Sequence, residues 1–456
     1  MSEHIVFLGA GPAGYSGAVH AADLGFNVTV VDKDVQPGGT CLNRGCIPAK
    51  TLLTGANLIN KIKKASEFGI TAENIKMDIS RLMHKKMQVV SLLGKGIESL
   101  FRDKKINYIK GNGKFFPDKR IEVNTKDGRL IIKADHIILA NGSVPFIPNG
   151  FPYDRKTVMT SDDILEIDHI PATLVIIGGG VIGLEMAYLF SSLGSKVTVI
   201  EMLDRIGFNL DEDVSKLLTR EFKKRNITVL TSSKVNSSEI KEGNVFIKTD
   251  DKEIISEKAL VSIGRRANLE GIDPAESGLI MDKGWLKVDE YLATNLEGVY
   301  AAGDLIGSPW LAHAASYQAI TAVNNIAGRL LKYDSQNIPA CVFTYPEISC
   351  VGMTQEKANE LNLDYKIGKF DFRAFGKAHA QGEIEGFVKI LLDNKNQKLI
   401  GVHIIGPEAS SLIAESVLAL KTGMNIKEFS ELIRVHPTLP EAVMEAALTC
   451  MNISTG

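Results

Sequence analysis

Cys41 and Cys46 stand five positions apart inside Gly38-Gly39-Thr40-Cys41-Leu42-Asn43-Arg44-Gly45-Cys46-Ile47-Pro48-Ala49-Lys50. Two thiols in one segment can cycle between dithiol and disulfide, a two-electron exchange. A continuous helix would separate them by about 7.5 Å of rise, whereas a disulfide needs Cα atoms within roughly 7 Å. The backbone must therefore tighten between them, and Gly45 is the residue best able to allow it. A bridge closed this way is strained or exposed, and so reducible. Spacing alone is equally compatible with two unpaired thiols that pack side by side.

A second chemical cluster lies near the other end, in His436-Pro437-Thr438-Leu439-Pro440-Glu441. Glu441 can orient the imidazole, and a histidine so held can move a thiol proton near neutral pH. The same residues also spell a Thr-x-x-Glu capping box with proline in the first turn, which would make them a helix start. Both readings are open on sequence.

The elements that must position these residues begin at Ile5-Val6-Phe7-Leu8, a buried-type strand running into Gly9-Ala10-Gly11-Pro12-Ala13-Gly14. A helix-period segment, Leu24-Gly25 and a second strand ending on Asp32 complete a βαβ dinucleotide fingerprint. Its first glycine makes the turn, its second admits a pyrophosphate, and its third packs helix on strand. The helix N-terminus offers N–H groups and positive dipole to the phosphates. The pattern returns 169 residues on: Gly178, Gly180 and Gly183 match Gly9, Gly11 and Gly14, and Glu201 matches Asp32. Register at every landmark implies two dinucleotide sites. A further strand, Gly298 to Asp304, delivers an acid to the sheet edge where ligands gather in open α/β folds, so Asp304 is a candidate cofactor contact. His313, in the apolar helix that follows, reads either as an interior residue or as a ligand. The pair Arg265-Arg266 reads as a solvated strand end or a phosphate contact. Pro145 and Pro148 mark a hinge between domains.

The bulk numbers agree with a multidomain α/β protein. The chain has 456 residues, 45% of them apolar and 23% charged, and a formal net charge of −2. Such a balance gives no reason to expect nucleic acid or an anionic membrane as partner. Five cysteines are too few for a secreted disulfide scaffold, and Cys341 and Cys350 read as small packing residues. The N-terminus enters a strand without a basic leader, and the longest apolar run, Leu174 to Phe190, is interrupted by glycines and Glu185. The expectation is a cytoplasmic chain, where a close cysteine pair is more often catalytic than structural. No metal-ligand pattern is present. Two nucleotide folds and a labile disulfide describe a two-electron relay: FAD at the first fold, NAD at the second, and Cys41–Cys46 facing the substrate. Glu201 favours NAD, because a carboxylate binds a ribose 2′-hydroxyl and repels a 2′-phosphate.

The motifs GGTCLNRGCIPAK, GGGVIGLE, GDL with the later LAH, and HPTLPE resemble the pyridine nucleotide–disulfide oxidoreductases, and among them the dihydrolipoamide dehydrogenases. The resemblance runs from Ile5 to about Ala447. It implies two Rossmann-like domains plus a C-terminal α+β dimerisation domain: FAD-binding at 1–145, NAD-binding at 146–270, a central part completing the FAD site at 271–338, and an interface domain at 339–456. It implies Cys46 as the flavin-side thiolate, Cys41 as the sulfur that exchanges with substrate, and His436 held by Glu441 as acid/base in a homodimer. Lys50 would pair with Glu185 beside the flavin. Gly9, Gly11, Gly14, Asp32, Gly113, Ala140, Gly142, Asp304, Leu311, Ala312 and His313 would contact FAD. Gly178, Gly180, Gly183, Glu201, Val235 and Gly264 would line the NAD site. The implied reaction is NAD-dependent oxidation of dihydrolipoamide carried on another protein, in a 2-oxo acid dehydrogenase or glycine cleavage complex. The rival readings are another disulfide or metal-ion reductase of the family, or a non-catalytic NADH-sensing flavoprotein. Arg44 stands where many members carry an apolar residue, and Arg434 replaces a usual histidine. Both read as residues able to alter the substrate channel.

Overall fold

A computed structural model describes residues 2–453. Its first sheet is parallel, in the order Val299–Ala301, His136–Leu139, His4–Leu8, Asn27–Asp32, Asn107–Lys110. The central strand is the continuous apolar run Ile5 to Leu8, at most 4% exposed, as expected of a strand covered on both faces. The helix Pro12–Asp23 covers one face through Ala13, Ala18 and Ala21, with the helix Ala312–Ile326 packed against it. Residues after 271 therefore return to finish the sheet that residue 4 began.

The second sheet repeats this plan in the order Thr228–Leu230, Lys196–Ile200, Thr173–Ile177, Lys258–Val261, Val158–Met159. Thr173–Ile177 pairs with Lys196–Ile200 just as His4–Leu8 pairs with Asn27–Asp32. Its helix, Val181–Leu193, is buried almost all round because a second helix, Cys46–Lys63, packs against it. The chain crosses between the two sheets along Ser143–Pro145 and returns along Arg265–Ala267, and these strands pair antiparallel. The crossing thus begins at Ser143, on the N-terminal side of the two prolines. The C-terminal part is an antiparallel sheet in the order Ala340–Val342, Glu347–Gly352, Leu399–Gly406, Phe387–Asp393, Tyr365–Asp371. The helices Ala409–Thr422 and Glu441–Cys450 pack on it.

Two buried side chains join this last sheet to the second one. Lys389, 1% exposed, donates to Asp211 Oδ1 at 2.8 Å, Asp213 Oδ2 at 3.1 Å and Gln355 Oε1 at 2.6 Å. Asp211 is itself 0% exposed, so the charges are desolvated together and satisfied together.

Candidate active site

The segment Gly38–Lys50 folds as two helices, Gly39–Arg44 and Cys46–Lys63, broken at Gly45. The break shortens the path between the sulfurs, as the spacing demanded. A Cβ on Gly45 would stand 2.9 Å from Thr40 O, closer than a side chain tolerates. Gly38 N–H donates to Ala10 O at 2.8 Å, docking the segment on the first glycine loop. At Gly39, φ is +56°, and a Cβ would lie 2.6 Å from the Gly11 Cα. Two backbones meet there with no room for a methyl group.

Both thiols are free. The neighbouring Cys41, helped by the Lys50 charge, holds the Cys46 thiol below the ordinary thiol range against the opposing effect of burial. The neighbouring Cys46 and burial push Cys41 far up. Within the pair, Cys46 beside Lys50 is the sulfur favoured as thiolate. Lys50 Nζ lies 2.8 Å from both carboxylate oxygens of Glu185 and 4.4 Å from the centre of the Phe343 ring. Phe343 N–H also donates to Glu185 Oε1 at 3.0 Å, so the first helix pair, the second sheet's helix and the C-terminal part meet at one carboxylate.

The two glycine loops share a hydrogen-bond plan. Asp32 Oδ2 accepts the Ala10 N–H and Oδ1 the Asp34 N–H at 2.8 Å. Glu201 Oε2 accepts the Gly179 N–H at 2.7 Å and Oε1 the Leu203 N–H at 2.8 Å. Burial pushes the Asp32 carboxyl up. Gly9 takes φ +109° and Gly178 +106°; a Cβ there would strike Ala140 O at 2.3 Å or Ser262 O at 2.5 Å. Gly14 and Gly183 back onto the carbonyls of Gly9 and Gly178 in the same close approach. The helices that follow carry no side-chain cap, so their first N–H groups remain available to an anion. A Cβ on Gly142, Gly180 or Gly264 would meet nothing within 4 Å. These open, uncapped cradles fit the pyrophosphates of FAD and NAD.

The remaining expected positions are placed as follows. Gly113 owes its identity to packing: a Cβ there would strike Leu8 Cδ1 at 2.5 Å. Val235 starts a strand two residues beyond Ser233, whose N–H donates to Glu201 O at 2.9 Å. Leu311 and Ala312 begin the helix Ala312–Ile326. His313 Nε2 pairs with Pro339 O at 2.8 Å, which commits that ring nitrogen to the backbone. Asp304 Oδ2 accepts the Ser143 hydroxyl at 2.6 Å, and burial pushes its carboxyl up. Cys341 and Cys350 are pushed up by burial, to about 12 and about 11, and are unreactive thiols at neutral pH.

Several expectations are corrected. Arg265 is no solvated strand end: its Nε–H donates to Ser143 Oγ at 2.6 Å and its Nη2 to Ser143 O at 2.8 Å, with the side chain 9% exposed. Arg434 does not enter a channel: it is 5% exposed, 3.0 Å from Glu415 Oε2, with Nη1 donating to Leu432 O at 3.0 Å. Arg44 is held by two carboxylates, Asp34 and Asp162. Only half of the capping box at Thr438 forms, the bond from the Thr438 N–H to Glu441. Thr438 Oγ1 donates to Val435 O, and the last helix starts at Glu441. Glu441 takes the Thr438 N–H on Oε2 at 2.7 Å and His436 Nδ1 on Oε1 at 2.9 Å. The His436 side chain is 81% exposed, and among the described residues it has no hydrogen bond to either Cys41 or Cys46. Ser143 and Phe343 give no signal in the sequence because each acts through a partner far away in the chain.

This geometry, a glycine-locked thiol pair between two matched nucleotide loops, defines a class. Residues 3–319 match the pyridine nucleotide-disulphide oxidoreductase family and residues 338–447 its dimerisation domain, and the chain belongs to that family. It is a flavoprotein disulfide oxidoreductase whose cofactors are FAD and NAD. It is 41% identical to a dihydrolipoyl dehydrogenase of Chlamydia pneumoniae over 448 residues, spanning 98% of this chain and 96% of that protein. The dihydrolipoyl dehydrogenase of Bacillus subtilis is 37% identical over 454 residues, 99% of each chain. The crystal structure of LpdA from Mycobacterium tuberculosis superposes with a TM-score of 0.92 at 27% identity, covering 98% of this chain and 99% of that one.

Proposed function

We propose that this enzyme oxidises protein-bound dihydrolipoamide to lipoamide with NAD⁺, through a Cys41–Cys46 disulfide. The observation that carries the reading is the cysteine pair at the Gly45 break, with Lys50, on the same helix as Cys46, 2.8 Å from Glu185. Two thiols so placed, with Cys46 favoured as thiolate, suit the reduced half of a dithiol couple. The substrate dithiol loses two electrons as the disulfide accepts them. One substrate thiolate attacks Cys41 Sγ and displaces Cys46 Sγ as thiolate; the second substrate thiolate then attacks the mixed disulfide, releasing lipoamide and leaving Cys41 as thiol. His436, steadied by Glu441, accepts the proton of each substrate thiol in turn, passing one to solvent and the other to the Cys41 sulfur as it leaves the mixed disulfide. Bound FAD supplies the chemistry that carries the electron pair from the dithiol to NAD⁺.

Roles follow for the chain's own groups. Gly9, Gly11, Gly14, Asp32, Ala140, Gly142 and Asp304 hold FAD; Gly178, Gly180, Gly183, Glu201, Val235 and Gly264 hold NAD. Lys50 and Glu185 form a fixed dipole next to Cys46. The units are 1–145, 146–270, 271–338 and 339–456, and the working form is a cytoplasmic homodimer in which His436 serves the partner's cysteines. The exposure of His436 and the match to a dimerisation domain support that arrangement. The lipoyl group arrives on another protein of a 2-oxo acid dehydrogenase or glycine cleavage complex.

The test is spectroscopic and kinetic. NADH reduction of the yellow protein should give a long-wavelength thiolate-to-flavin charge-transfer band that Cys46→Ser abolishes. A band unchanged in that variant would falsify the assignment of Cys46. NAD⁺-dependent oxidation of dihydrolipoamide, run beside NADPH-dependent reduction of glutathione and of Hg²⁺, tests the substrate. Turnover of either rival and none of dihydrolipoamide would move the enzyme elsewhere in its family.

A further inference from the structure

Arg44 lies between the two cysteines, on a six-residue helix bounded by Gly38 and Gly45. So short an element is held by its side-chain ties more than by its own hydrogen bonds. One tie is the contact between the side chains of Gln36 and Asn43, at 2.9 Å. Arg44 supplies another. Its Nη2 donates to Asp34 Oδ2 at 2.5 Å, and its Nε stands 3.9 Å from Asp162 Oδ2. The two carboxylates are 15% and 30% exposed, and Arg44 is 35% exposed. Asp34 follows a strand of the first sheet, whereas Asp162 sits on the short helix Ser161–Ile164 against the second.

Asp162 also feels the positive charge of Arg265. Burial pushes its carboxyl up, and Arg265 and then Arg44 oppose that push. Arg265 continues the series through Ser143, whose hydroxyl reaches Asp304. Asp34, Arg44, Asp162, Arg265 and Asp304 thus alternate in sign from the cysteine segment to the second nucleotide unit and back to the first. In half-buried surroundings each charge depends on its neighbours, because removing one leaves the next desolvated and uncompensated.

We propose that Arg44 is a positioning residue: paired with Asp162, it fixes the segment carrying Cys41 against the second nucleotide unit. The proposal rests on the reading of Cys41–Cys46 as the redox couple. It makes the alignment of thiolate and flavin depend on a residue of the NAD-binding unit that touches neither.

The experiment uses the FAD-loaded enzyme and the variants Arg44→Met, Arg44→Lys, Asp162→Asn and the Met/Asn double variant. Alkylation of the Cys41–Cys46 pair by iodoacetamide, resolved to each cysteine by peptide mass, is followed in the NADH-reduced protein, together with the charge-transfer absorbance, at FAD contents matched to the parent. Arg44→Met and Asp162→Asn should each raise the alkylation rate about threefold and weaken the band, and the double variant should do no more than the stronger single one. Multiplying effects in the double variant, or unchanged rates and band in both singles, overturn the link. If Arg44→Met fails to retain FAD, Asp162→Asn and Arg44→Lys carry the comparison. There a raised rate in Asp162→Asn with a near-parent rate in Arg44→Lys supports the link, and a parent-like Asp162→Asn overturns it. Absence of the band in the parent protein would instead defeat the redox reading.

Discussion

At the scale of single residues, the chemistry turns on which sulfur holds the proton. The neighbouring Cys41 is the largest influence lowering Cys46, ahead of the charge on Lys50. Cys41→Ala should therefore raise the titration of Cys46 further than Lys50→Met does. Because the parent value is depressed, its thiolate persists as pH falls below the ordinary thiol range; in Cys41→Ala it should be lost at a higher pH. The thiolate's ultraviolet absorbance across a pH series on the reduced proteins measures both, and an equal or reversed order would mean that the lysine dominates. His436 works at the same scale by orientation, one oxygen of Glu441 fixing Nδ1 and the other held by the Thr438 N–H. The missing half of the expected capping box is lost at Thr438, whose hydroxyl turns to Val435 O.

At the scale of elements, the cysteine segment depends on backbone contact with the first glycine loop. Gly39→Ala forces a methyl group against Gly11 and strains a left-handed φ, a cost of roughly 1–3 kcal/mol. The helix Gly39–Arg44 should lift from the loop, and the variant should release FAD at a lower urea concentration than the parent, read from flavin fluorescence. Parent-like retention would show that the loop yields at no cost. These elements were legible in the sequence because phosphate loops restrict residue type locally: Gly9 and Gly178 need positive φ, Gly45 must break a helix, and both βαβ units announce their period. The ties made across the fold were not legible. Nothing near Arg265 in sequence points to Ser143, and nothing near Arg434 points to Glu415, so both arginines read as free charges. The close packing of Gly113 against Leu8 is another tie that its neighbours in sequence do not announce.

At the scale of the whole molecule, the second sheet and the C-terminal sheet are joined through the buried Lys389. Lys389→Met leaves Asp211 buried without its counterion and should cost about 3–5 kcal/mol, measured by urea unfolding. Adding Asp211→Asn should recover much of that loss; a double variant as unstable as the single would mean that packing, not charge, is at stake. A composite site built by two copies makes another prediction. Inactive Cys41→Ser and inactive His436→Gln proteins, unfolded and refolded together in equal amounts, should regain about a quarter of parent activity, since half the dimers then hold one intact site. No recovery would place the acid/base within one chain.

The first sheet is completed by Val299–Ala301, which pairs with His136–Leu139 after the whole second sheet has intervened. A ribosome therefore delivers the middle of the protein as a contiguous unit before the beginning can close. At about 5–20 residues per second the half-made first sheet waits on the order of ten seconds for its last strand. During that wait the strand His136–Leu139 presents an unpaired edge, so the order of synthesis exposes the N-terminal unit to aggregation longest although it is made first.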